Sequence, residues 1–139
     1  MPQADFEWIR RLPGKKVIFK GNHDLWWQSA GKLNRLYGDE NMIFIQNKCY
    51  VADTGEKKIA ICGSRGWICP GEDFFTTDDS RIYEREIGRL KLSLEEGKAS
   101  GADEIIGILH FPPTNDKLQD SGFTRLMTEY GVKLCLYGH

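Results

Sequence analysis

Apolar residues in this chain fall into short runs separated by polar turns, and the runs alternate between helical and strand periods. Residues 4–12 carry Phe6 and Ile9, with Trp8 beside them, at helical spacing, and Pro13-Gly14 closes the stretch, which predicts a helix. Val17-Ile18-Phe19 is a β-branched and aromatic run and predicts a short buried strand. Residues 25–37 put Leu25, Leu33 and Leu36 on one side and stop at Gly38, predicting a second helix. Residues 42–45 and 49–52 read as strands, and Asp53-Thr54-Gly55 turns the chain into another over 58–63. That hairpin implies a mixed sheet. Gly66, Pro70 and Gly71 mark a loop over 64–75. Thr77-Asp78-Asp79-Ser80 offers caps for a long helix to about residue 99, with Tyr83, Ile87, Leu90 and Leu94 in one apolar stripe. A strand over 104–109, a loop over 111–121, a helix over 123–130 and a last strand over 132–137 complete the pattern. Such alternation predicts one α/β domain, with helices covering a central sheet.

Composition narrows the class without naming a reaction. At 139 residues, 40% hydrophobic and 28% charged, the chain has the make-up of a single soluble globular domain spanning 1–139. A formal net charge of -1 supplies no basic field for nucleic acid or an anionic membrane. No apolar run approaches the ~20 residues of a membrane span. Residues 1–16 carry charges throughout and lack the apolar core of a signal peptide, so a cytoplasmic location is expected. Cys49, Cys62, Cys69 and Cys135 form no C-x-x-C pair, which argues against a zinc knuckle. Cys62 and Cys135 lie in apolar runs and are expected to be buried reduced thiols.

The three histidines carry the chemical signal. His23, His110 and His139 each follow a predicted strand directly or within a few residues of its end. Open α/β sheets bind ligands beyond the carboxyl ends of their strands, so three such residues converge if the strands are parallel neighbours. Imidazole is a ligand for Zn, Mn or Fe, and an amide or carboxylate oxygen complements it. One histidine at a strand end is ordinarily a hydrogen-bonded loop residue. Three with the same placement argue for a site, although a structural metal centre would explain them as well as a hydrolase.

Gly21-Asn22-His23-Asp24 resembles the G-N-H-[DE] block of the calcineurin-like phosphoesterases. His110, followed by Phe111-Pro112-Pro113, resembles that family's isolated-histidine block, and Gly138-His139 the start of its G-H-x-H block. Gly63-Ser64-Arg65-Gly66-Trp67 is similar to a segment of a bacterial branch of the family. The resemblance implies a metallophosphoesterase-type β-sandwich flanked by helices, with two Mn, Fe or Zn ions at the strand ends. It implies that Asn22, His110 and His139 are ligands of the second metal. His23 would be the general acid, or would stabilise charge on the phosphate, and Asp24 would accept its other ring proton. Asp24 reads equally as a helix N-cap ahead of Leu25. Arg65 is a candidate for binding substrate phosphate. Trp26-Trp27 reads as core packing or as the lining of a substrate entrance, and Asn115 and Asp116 as turn residues.

The family's D-x-H and G-D-x-x-D blocks do not occur. Gly38-Asp39 follows the G-N-H-D block and has Met42 where a second aspartate would stand. The final histidine of G-H-x-H is also missing. These are the first metal's ligands and the bridging carboxylate, so the expectation is a partial domain with at most one metal site partly present. Phosphomonoester or phosphodiester hydrolysis is then expected of an intact parent and not of this chain alone. Exposed sheet edges are expected to permit a homodimer. A non-catalytic, metallophosphoesterase-like binding scaffold is the alternative. A Cys/His structural site using Cys49, Cys62 or Cys69 is a third reading, disfavoured by their distance from the strand-end rim.

Overall fold

The computed structural model describes residues 2–139. Its elements are α1 (Pro2–Arg11), β1 (Lys16–Phe19), α2 (Ala30–Tyr37), β2 (Met42–Ile45), β3 (Cys49–Asp53), β4 (Lys58–Ser64), α3 (Thr77–Ala99), β5 (Glu104–Leu109), α4 (Gly122–Glu129) and β6 (Leu134–Tyr137). β1 and β2 pair in parallel, with Lys16 opposite Met42 and Phe19 opposite Ile45. The second sheet runs β3-β4-β5-β6. Its first pair is an antiparallel hairpin and the other two are parallel, so the sheet is mixed, as the Asp53-Thr54-Gly55 turn implies.

Among the described residues the two sheets share no backbone ladder. They meet at Gly63 on β4. A Cβ there would collide with the Ile108 carbonyl oxygen and lie 3.1 Å from the Phe19 ring. Glycine lets β4 sit against β5 while Phe19 reaches in from the other sheet. Each sheet has its own core. Phe6, Trp27, Leu33, Met42 and Phe44 pack beside β1 and β2, and Leu90, Leu94, Leu109, Phe123 and Met127 are among those packing between α3, α4 and the larger sheet.

α3 begins at a capping box, with the Thr76 hydroxyl accepting the Asp79 N–H and the Asp79 carboxylate returning to the Thr76 N–H. The cap falls one residue before the Thr77–Ser80 cluster. Its buried face is Tyr83, Glu86, Leu90, Ser93, Leu94 and Gly97. The expected stripe is therefore rotated: Ile87 is half-buried, and two polar residues complete the face. Ser93 has a specific task there. Its hydroxyl accepts the Gly63 N–H at 2.9 Å and donates to the Lys48 carbonyl at 2.6 Å, bridging the hairpin where its backbone ladder ends.

Five expectations are corrected. α2 starts at Ala30, capped by Ser29, because residues 22–26 form turns. Only Leu33 of the three expected leucines faces inward, and Leu25 is 89% exposed. Trp8 is exposed, whereas Phe6 is buried. β1 is half-buried along its length. Cys135 is only half-buried, since β6 is an edge strand with Leu134, Leu136 and Tyr137 more than half exposed. No helix among the described residues is long and apolar enough to cross a membrane.

Ser93→Ala leaves the buried Gly63 N–H and the part-buried Lys48 carbonyl without their shared partner. The expected loss is about 1–3 kcal/mol in a urea unfolding titration. A loss under about 0.5 kcal/mol, the scatter of a neutral surface change, would mean that the hydroxyl does not hold the hairpin.

Candidate metal centre

The chain leaving β1 turns within four residues. The Asp24 carboxylate accepts the Gly21 N–H at 2.7 Å, the His23 carbonyl accepts the Leu25 N–H at 2.8 Å, and the Asp24 carbonyl accepts the Trp27 N–H at 3.0 Å. This turn takes the place of the expected helix start, and Asp24 caps it rather than a helix. Trp27 then drops into the core, where its indole N–H donates to Gln46, and Trp26 packs on Phe6. Both tryptophans serve packing.

His110 directly follows β5. Its N–H and that of Phe111 both donate to the Arg65 carbonyl, each at 3.0 Å, while its own carbonyl accepts the Gly138 N–H at 3.3 Å. The His110 backbone is thus held from both neighbouring strands. The second contact brings the residue after Gly138 alongside. The His139 ring stacks on Phe111, with centroids 4.5 Å apart, and meets the His110 ring edge-on at 5.0 Å.

The two arms close on one another through side chains. His110 Nε2 lies 2.7 Å from Asn22 Oδ1. An amide oxygen only accepts, so this nitrogen carries the proton in that contact. Gly21 makes the approach feasible: a Cβ there would lie 3.1 Å from both His110 Cε1 and Asp24 Oδ2.

Asn22 and His139 each therefore lie against His110. His23 is exposed on the same turn, and among the described residues its ring has no hydrogen-bond partner. The Asp24 carboxylate contacts Gly21 rather than the His23 ring. Arg65 sits next to the centre, but its guanidinium lies over Trp67 at 4.7 Å and its Nε is 3.8 Å from Glu86. Asn115 is a buried turn residue, its side chain accepting from the Lys117 and Gln119 N–H groups. Cys49 and Cys62 pair across the β3–β4 hairpin, and Cys69 faces the Pro113 carbonyl. Among the described residues no three His, Cys, Asp or Glu side chains gather as a metal group.

Sequence pattern alone missed three contributors. Gly21 is needed for its missing side chain, Phe111 is the platform under His139, and Glu86 is a carboxylate on a buried helix face. Glu86 had a readable signal: it follows Tyr83 by three and precedes Leu90 by four, so it shares their face.

Burial, and next the neighbouring His139, push His110 below the ordinary histidine value; His23 and Arg65 act in the same direction and Asp24 opposes them. Neutral imidazole is the metal-binding form. Donor atoms on one first-row ion lie roughly 3 Å apart, given bonds of about 2.1 Å, and the Asn22–His110 pair is already near that spacing. The residues present fit part of the shell of one ion. They contain no bridging carboxylate for a pair.

Two sheets flanked by helices, with imidazole and amide donors at strand ends, define a metallophosphoesterase-type α/β fold. A family model described as calcineurin-like phosphoesterase matches residues 2–139, and the chain belongs to that family. The family is one of phosphoester hydrolases that use divalent metals. Searches of curated proteins and of solved structures found no match.

A histidine with a depressed folded value takes up protons more readily in the unfolded chain. Its contribution to stability is present above the unfolded value of about 6.5 and is lost as pH falls below it. The ring protons of His110, followed by NMR, are expected to titrate below about 6.5, and further upward once His139→Ala removes the neighbouring ring. A wild-type midpoint at or above the ordinary value would contradict the site's electrostatics.

Proposed function

We propose that Asn22, His110 and His139 hold one divalent ion, Mn, Fe or Zn, and form the second-metal half of a phosphoester hydrolase centre. The observation that carries this reading is the 2.7 Å contact between Asn22 Oδ1 and His110 Nε2, with His139 beside it, in a member of this family. A bound ion supplies Lewis-acid neutralisation of the phosphate oxygens and, in a pair, an activated water.

The chain's own residues do the rest. His23, exposed on the turn beside Asn22, donates a proton to the leaving-group oxygen of a phosphomonoester or phosphodiester. Asp24 holds the turn that presents His23. Arg65 adds positive potential for the substrate phosphate. A cleft of about 170 Å³ bordered by Phe74, Phe111, Asn115 and His139 offers room for the esterified group. The bridging carboxylate that a two-ion mechanism requires is not among the gathered side chains, so this chain by itself is expected to be inactive. A non-catalytic scaffold that keeps the fold and one metal site is the second reading.

Two measurements separate these readings. Co2+ or Mn2+ titration is expected to give binding that falls tenfold or more in His110→Ala and stays within about twofold in His23→Ala. Mn-dependent hydrolysis of bis-p-nitrophenyl phosphate is then compared between this chain and the same chain with any coding sequence that flanks it in frame. Activity that needs the flanking residues and collapses in His23→Ala supports the hydrolase. Metal binding without turnover in either form moves the conclusion to the scaffold, and turnover by the short chain alone would refute the proposed shortage of ligands.

A further inference from the structure

Glu86 is the one charged residue with almost no exposure, at 1%, among the described residues. Burying a carboxylate is costly unless cations compensate it, and two do. Arg89, one turn along α3, donates to Glu86 Oε2 at 2.7 Å. Arg65, arriving from β4, places its Nε 3.8 Å from Oε1. This nitrogen is buried and has no hydrogen-bond partner among the described residues, so charge rather than a hydrogen bond holds it to Glu86. The carboxylate lines a narrow cavity of about 20 Å³ whose other walls include Phe19, Lys20, Ile45 and Ser64. It therefore lies where α3, the end of β1 and the end of β4 meet.

Both arms of the candidate centre leave from these walls. Lys20 is followed by Gly21 and Asn22, and Arg65 offers the carbonyl that holds the N–H groups of His110 and Phe111. We infer that Glu86 is a positioning residue for the metal centre, fixing Arg65 so that its carbonyl sets His110 against Asn22. The inference rests on the metal reading of that centre. Glu86 pairs with Arg65 and Arg89 and with none of the three proposed ligands, so it acts through the Arg65 main chain.

Glu86→Gln keeps the shape and an oxygen for Arg89 but removes the charge that holds Arg65. Two readouts follow it in the full chain: residue-resolved amide hydrogen exchange, without metal, and Co2+ affinity. The His110 and Phe111 amides are expected to exchange at least about tenfold faster while amides of the β4–β5 ladder keep their protection, because the loosening is local. The Co2+ Kd is expected to rise about tenfold, the usual scale for groups that orient ligands. Arg65→Met, which leaves Glu86 with Arg89, is expected to give the same pattern and serves if Glu86→Gln does not fold. Arg89→Ala is expected to lower overall stability without singling out those two amides. A uniform acceleration of all core amides with an unchanged Kd would make Glu86 merely stabilising and overturn the inference. Unchanged exchange at His110 and Phe111 in both variants overturns it whether or not metal binds. Absence of Co2+ binding by the wild-type chain instead overturns the metal reading, and with it the role of Glu86 at a metal centre.

Discussion

One side-chain contact ties the two halves of this molecule together at the rim: the hydrogen bond between His110 and Asn22, 88 residues apart. Among the described residues the two sheets have no ladder hydrogen bond in common, so backbone regularity does not force their ends into alignment. Alignment comes from close packing instead. Phe19 reaches the bare backbone of Gly63, and Gly21 lets its own turn lie against the His110 ring. A side chain at either glycine would separate the surfaces by a few tenths of an ångström or more. A metal centre is intolerant of such a displacement, because its donors must reach the same point.

Much of this arrangement was legible because strand ends are a sequence-visible landmark. Short apolar runs ending at His110, Gly138-His139 and Gly21-Asn22 could be read directly, and parallel pairing of β5 and β6 places His110 and His139 side by side. The failures came where tertiary demands overrode local pattern. Residues 25–29 have helical spacing, yet Trp27 belongs in a core of Phe6, Leu33 and Phe44, and delivering it there requires a turn closed on Asp24. Leu25 is left outside as a result. On α3 an apolar stripe was readable, but the buried face is rotated to include Glu86 and Ser93. Helical apolar spacing ignores a polar residue on the inner face, even though that is where buried polar groups find specific partners.

Those two residues divide the labour of α3. Ser93 meets the hairpin through the Gly63 N–H and the Lys48 carbonyl, next to the point where the sheets touch. Glu86, two turns earlier, meets the charged side of the same junction. A wholly apolar face would still pack. It would leave the Lys48 carbonyl and Gly63 N–H unsatisfied and would give Arg65 no counter-charge in a half-buried position. The long helix is therefore more than a cover for the larger sheet, since its polar contacts reach the segment that leads to the centre.

The electrostatics of the gathered donors follow from their neutrality. Two imidazoles and an amide bring no negative charge, and the nearest carboxylate, on Asp24, is engaged with the Gly21 N–H. Such a set favours a borderline transition ion over calcium or magnesium, which prefer oxygen-rich shells. An ion held by such a set would keep its full positive charge available to an anionic ligand. Burial and adjacent imidazole keep His110 below its ordinary value and so in the form that can donate a lone pair. A neutral shell is poorly suited to holding two cations close together, because their repulsion is relieved only by an anionic bridge. As a metal site such a set would suit one ion, and a pair would need a carboxylate from outside it.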